Sequence, residues 1–306
     1  MNNSAIAVGV FDGLHLGHLQ ILERARARAQ ARGERTVVVS FDPHPDVVLS
    51  PSFQPLPPLM PHSERRTRLS AMGVEIYEVI PFTRELAALE PEDFVERYLI
   101  EPFAMKDLVV GANFALGRKR SGNVPRLREI GATKGFEVEA VPLLQIGGEP
   151  VTSSRIRLLL AEGRVSEAIP LLGRRYGLTG LVVEGDQIGR MLGVPTANLR
   201  LHEEKLVPAN GIYAVWARIE SETEWRSAAM SIGVRPTFGG QVRTLEVHIL
   251  DWSGELVGRD LDVEFVRWLR PEIKFESRDA LTEAMRDDLT RARALLAAEE
   301  ARAATR

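Results

Sequence analysis

Short apolar runs alternate with amphipathic helical stretches through the first half of the chain, and that alternation admits few folds. Ala5 to Val10 (AIAVGV) is continuously apolar, as a strand covered on both faces is. The next segment, LGHLQILERARARAQARG, sets Leu19, Leu22, Ala25 and Ala29 on one helical face and stops at Gly33. Thr36 to Phe41 (TVVVSF) is a second covered strand, so the three segments make one strand–helix–strand unit. The pattern continues through EIYEVIPF, a helix from about Pro91 to Ile100, DLVVGA, another helix and EVEAVPL. It predicts a parallel sheet with helices on both faces.

Near residue 175 the rhythm changes. GLVVEG, GIYAVWARI, WRSAAMSIGV, TLEVHIL and LDVEFV are short strand candidates, punctuated by Gly, Pro and Asn with little helix between them. They predict a small antiparallel barrel. A last helix, from about Ser277 to Ala301, carries Leu281, Met285, Leu289, Ala292 and Leu296 on one face. The boundary falls in EAIPLLGRRYG, giving domains 1–170 and 171–306. The proline-rich stretch SPSFQPLPPLMP reads as a mobile flap over a site or as a surface loop.

Composition narrows the function. The 306 residues carry a net charge of −3, without the basic surplus that nucleic-acid polymers call for. Arg24, Arg28 and Arg32 read as a solvated helix face, and Arg118 to Arg120 as too few cations for RNA. The absence of cysteine removes disulfides, thiolate metal sites and a cysteine nucleophile. Neither a leader pattern nor an apolar run of about 20 residues is present, so the expectation is a cytoplasmic protein with no membrane partner.

Two segments carry candidate chemistry in the first half. In GVFDGLHLGH, Asp12-Gly13 suits a turn after the first strand, and His15, Gly17 and His18 fall where the helix begins. Ligands bind beyond the carboxyl ends of such strands, and a helix N-terminus there offers N–H groups to phosphate. Histidines three apart share one side of a helical turn and can both donate to one phosphate, while Gly17 permits close approach. A zinc site would need three or four ligands, and no third one stands at a persuasive spacing. In VTSSRIRLLLAEG, Ser153 or Ser154 suits an N-cap, and Arg155 and Arg157 supply fixed positive charge. An ordinary capped helix would look the same.

These residues resemble a family. GVFDGLHLGH looks like the first signature of the HxGH nucleotidylyltransferases, whose nucleotide-binding core is similar to that of class I aminoacyl-tRNA synthetases. VTSSRIRLLLAEG looks like their triphosphate-holding SSxxIR segment. FDPHP (Phe41 to Pro45) and VVGANFALGRKRSGN (Val109 to Asn123) narrow the likeness to the FMN adenylyltransferase module of bacterial bifunctional riboflavin kinase/FAD synthetases. EGDQIGRMLGVPTANL (Glu184 to Leu199) resembles the riboflavin kinase signature GxxxGRxLGxPTAN, and SIGVRPTFGG, TLEVHILDW and LRPEIKF continue it.

The resemblance implies a Rossmann-like α/β nucleotidylyltransferase domain followed by a riboflavin-kinase-like β-barrel with a C-terminal helix. It implies phosphorylation of riboflavin to FMN, then adenylylation of FMN to FAD, with ATP as donor and Mg²⁺ as cofactor. In the first domain it puts ATP at Gly9, Phe11, Asp12, His15, Gly17, His18, Ser153, Ser154 and Arg157, with His15 and His18 catalytic. Flavin falls to His44 and Asn113; Leu116 stands where an aromatic is more usual. In the second domain it puts ATP at Gly185, Gly189, Arg190, Pro195, Thr196 and Asn198, Mg²⁺ at Thr196 and Asn198, and flavin at Glu246 and Arg270. Glu246 is then the candidate base, with His248 in support; Val257 replaces a frequent Tyr and is expected to alter packing more than chemistry. Small-molecule substrates are the expected partners, and a homo-oligomer stays open. The rivals are an HxGH transferase acting on another acceptor, a flavin-binding protein without activity, and a chain with one working activity.

Overall fold

The computed structural model describes residues 3–50, 56–185, 193–237 and 240–304. The chain forms two compact units, Met1–Ser153 and Ser154–Arg306.

The first unit is built on five parallel strands: β1 (Ser4–Val8), β2 (Arg35–Asp42), β3 (Ile76–Pro81), β4 (Met105–Gly111) and β5 (Glu137–Val141). Their order is β3-β2-β1-β4-β5. Alternation along each strand splits the core in two. Ile6, Val8, Val37, Val39, Leu108 and Val110 face one side, whereas Ala7, Val38 and Val109 pack on the other against Leu22 and Ala25 of helix α1 (Leu16–Arg32). The strand order reverses at β1 and β4, and the HxGH segment leaves the carboxyl end of β1, where such sheets bind ligands.

One expectation is corrected here. Of the α1 arginines Arg24 and Arg32 stay exposed, but all three are ion-paired and not merely solvated. Arg28 binds the fully buried carboxylate of Asp107 at 2.7 Å and Glu137 at 2.6 Å, and Arg32 reaches Glu137 at 2.7 Å. Those carboxylates lie on β4 and β5, far away in sequence, so helical periodicity could not show them. Of the proline-rich stretch, 51–55 lie outside the described residues, but Leu59 and Met60 at its end are each 1% exposed. Their burial anchors the C-terminal end of the stretch, while Leu56 is 59% exposed.

In the second unit helices α4 (Ser153–Ala161) and α5 (Val165–Leu172) precede the barrel. The main-chain N–H of Ala209 donates to the carbonyl of Leu160, and Gly163 packs under Trp268. The expected boundary at 170/171 lies in the last turn of α5. Six antiparallel strands close the barrel: β6 (Gly177–Val183), β7 (Ala197–Leu201), β8 (Gly211–Ile219), β9 (Arg226–Thr237), β10 (Gly240–Ile249) and β11 (Asp260–Arg270). Helix α6 (Arg278–Ala304) buries Ala292 and Leu296 against Ala214, Trp216, Val266 and Leu269 of the barrel wall.

Candidate active sites

The turn between β1 and α1 is an unusual piece of backbone. Phe11 (φ 51°), Gly13 (φ 80°) and Leu14 (φ 41°) are all left-handed. The two non-glycine residues cost roughly 1–3 kcal/mol each, so the surroundings must hold them. Asp12 does much of this. Its carboxylate accepts the N–H groups of Leu59 and Met60 at 3.0 Å each and pairs with Arg65 at 3.3 Å; the two side chains are 5% and 3% exposed. The Ser153 hydroxyl donates to the Asp12 carbonyl at 2.9 Å. The carboxylate of Asp12 therefore serves the turn. Replacing Asp12 by Ala should cost about 3–5 kcal/mol, because it leaves a buried guanidinium unpaired. Urea unfolding of the isosteric Asn variant beside the Ala variant measures this.

His15 caps α1, and its Nδ1 accepts the N–H of His18 at 3.2 Å, so the neutral ring carries its proton on Nε2. The two imidazoles stack with centroids 3.5 Å apart, and the Phe11 and His18 rings pack T-shaped with centroids 5.3 Å apart. Burial first, then His15 and Arg65, holds His18 well below the ordinary histidine range. Its Nδ1 is buried without a hydrogen-bond partner. A side chain at Gly17 would press on the His15 ring at 3.3 Å, which is why a glycine separates the histidines. The site is thus a pair of rigid imidazoles at a helix start.

Beside it lies a cavity of about 840 Å³ that brings together Gly9, His44, Asn113 and Leu116. His44 caps helix α2 (Pro45–Leu49) through its Nδ1. The aromatic character that Leu116 lacks comes from Phe41, Phe82, Phe94 and Phe114, which line the same cavity. Ser154, Arg155 and Arg157 belong to the second unit, on α4.

The barrel holds two further cavities. One of about 350 Å³ is lined by Thr196, Ser231, Glu246, His248 and Arg270, with apolar walls from Ile273, Phe275 and the α6 residues Leu281, Met285 and Leu289. The other, about 450 Å³, is lined by Glu184, Gly185, Pro195, Thr196, Asn198, Trp252 and Val257. Half-exposed Val257 thus borders a cavity rather than the core. Thr196 is in the wall of both. Its hydroxyl donates to Glu246 at 3.0 Å, and Asn198 stands opposite Glu246 across the β7–β10 ladder. A Cβ at Gly185 would sit 2.0 Å from the Asn198 amide nitrogen, so any other residue there would displace the Asn198 side chain. His248 Nδ1 meets the Pro195 carbonyl at 2.7 Å and so supports the PTAN turn. Gly189 and Arg190 lie outside the described residues.

Arg270 reaches its cavity already committed. It grips Asp288 of α6 with Nε at 3.0 Å and Nη2 at 2.7 Å, and Asp288 is 5% exposed. Asp288 and Arg65 escaped the sequence reading. Asp288 left a signal, an acid beside Leu289 on the apolar stripe of α6; Arg65 left none among the arginines of SERRTR.

A switch-point turn feeding paired imidazoles in one unit, and a closed barrel with a threonine between two cavities in the other, suit a two-domain transferase acting on phosphorylated substrates. The FAD synthetase family model matches residues 1–155, and the riboflavin kinase model matches 172–296. The bifunctional riboflavin kinase/FMN adenylyltransferase of Listeria monocytogenes is 36% identical over 296 residues, covering 96% of this chain and 93% of that one. Its Pseudomonas fluorescens counterpart is 37% identical, covering 95% and 92%. A solved Streptococcus pneumoniae structure described as a macrolide-efflux protein superposes with a TM-score of 0.87 at 30% identity, covering 96% of this chain and 95% of that one. Among the described residues here no helix is long and apolar enough to cross a membrane. The chain belongs to the bifunctional riboflavin kinase/FMN adenylyltransferase family: it makes FMN from riboflavin and ATP, and FAD from FMN and ATP.

Proposed function

We propose the following division of labour. In the first unit the FMN phosphate oxygen bonds to the ATP α-phosphorus while the bond to the bridging oxygen breaks, and pyrophosphate leaves with that electron pair. No protein nucleophile is needed, so the residues align reactants and stabilise charge. His15 and His18 donate to the phosphates beside Gly9 and Gly17. Phe11 and Asp12 act through the turn. Ser153, whose hydroxyl donates to the Asp12 carbonyl, stands on the triphosphate side, and the cavity of His44 and Asn113 takes the flavin; the resemblance alone assigns Ser154 and Arg157 to the triphosphate.

In the barrel Glu246 accepts the proton of the ribityl terminal hydroxyl, whose oxygen bonds to the γ-phosphorus as ADP leaves. The observation that carries this reading is Thr196, which borders both cavities and binds Glu246, as a group at the meeting point of donor and acceptor should. Gly185, Pro195 and Asn198 form the nucleotide side, to which the resemblance alone adds Gly189 and Arg190; Arg270 borders the flavin side. The donor set suits Mg²⁺: the Thr196 hydroxyl donates its hydrogen bond to Glu246 and keeps lone pairs, and the Asn198 amide adds a neutral oxygen. Bound there with the ATP phosphates, Mg²⁺ would offset their negative charge. Small-molecule substrates, no nucleic-acid partner and a cytoplasmic setting complete the proposal; a homo-oligomer is compatible with it.

Thr196→Val tests the kinase half. It should lower FMN formation on the order of 10²-fold and leave FAD formation from supplied FMN unchanged, as read by chromatography of the flavins. Equal loss of both activities in a folded chain would contradict it.

A further inference from the structure

We infer that Arg65 is a positioning residue for adenylyl transfer, fixing the turn at Phe11 and, through the Phe11 ring, the place of His18. The inference rests on the role proposed above for His18. Arg65 sits on helix α3 (His62–Ala71), and its side chain is 3% exposed. Nη1 donates to the Val10 carbonyl at 2.8 Å and to the Tyr77 hydroxyl at 3.2 Å. Nη2 donates to the Met60 carbonyl at 2.9 Å and to Asp12 at 3.3 Å. One guanidinium therefore grips the residue before Phe11 and the residue after it.

Between those two anchors Phe11 is held left-handed, 1% exposed, with its ring packed T-shaped on His18. A phenylalanine in that conformation persists only where its flanks are fixed. Release of the flanks would let the turn relax and the His18 ring follow. Reactions that depend on alignment lose rate on shifts of about 1 Å. The same guanidinium also acts on His18 electrostatically. With burial and His15 it keeps the imidazole neutral, and its own charge is met by Asp12.

The test uses the full-length chain carrying Arg65→Met or Arg65→Lys, with His18→Ala as reference. Arg65→Met should lower kcat for FAD formation from supplied FMN by about 30-fold, with KM for ATP and for FMN within about threefold. Arg65→Lys, which keeps the charge but cannot hold both flanks of Phe11 at once, should leave kcat lowered by about tenfold. In histidine-labelled NMR the His18 titration should move to higher pH in Arg65→Met and stay in place in Arg65→Lys. Should Arg65→Met fail to fold, Asp12→Asn/Arg65→Met, which removes both buried charges together, takes its place with the same readouts. A wild-type kcat, or a lost kcat with an unmoved His18 titration, overturns the inference and makes Arg65 a structural ion pair. Undiminished FAD synthesis by His18→Ala overturns the role of His18, and this inference with it.

Discussion

Replacement of His18 by alanine should stop FAD formation while FMN accumulates from riboflavin and ATP. The imidazole is a preformed group: packed by Phe11, stacked on His15, and held neutral by burial and by two neighbouring groups. A group held so rigidly adds most when charge develops beside it, because it need not reorganise. Loss of one such donor costs on the order of 10²–10³-fold in kcat. The methyl group of alanine leaves the Asp12–Arg65 clamp in place, so the fold of the unit should survive. FMN should build up at the wild-type rate, since Thr196 and Glu246 lie in the other unit. Time courses with riboflavin as the starting flavin measure both quantities at once.

Glu246→Gln should give the converse. Riboflavin remains unphosphorylated, with kcat for FMN formation lower by about 10²–10⁴-fold, the usual worth of a positioned base. Glutamine keeps the size of the side chain and an oxygen for the Thr196 hydroxyl, so the loss reports proton acceptance and not packing. FAD formation from supplied FMN should stay within about twofold of wild type. If the variant phosphorylated riboflavin normally, another group would have to be the base.

Much of this arrangement is legible in the sequence because it rests on local signals. Continuous apolar runs marked the parallel strands, and the turn residues around Asp12 and Pro195 marked the ends at which ligands collect. The motif histidines are three apart, and a helical turn alone brings them together. What stayed hidden depends on contacts between distant segments. Arg28 looks like any exposed helix residue until Asp107 and Glu137 arrive from other strands. Leu116 looks like a missing aromatic until Phe82 and Phe114 share its cavity. The Asp288 partner of Arg270 is invisible until α6 brings it to the barrel. Arg65 shows the same limit most fully, since its five partners come from four separate stretches of chain.

The central claim is that two independent sites, one in each unit, act in succession on a flavin that passes between them through solution. Mixing His18→Ala with Glu246→Gln tests it most directly. Each variant alone should fail to make FAD from riboflavin and ATP, and the mixture should make it, with free FMN detected between the steps. If each variant retained its own activity and the mixture still produced no FAD, the claim would be contradicted.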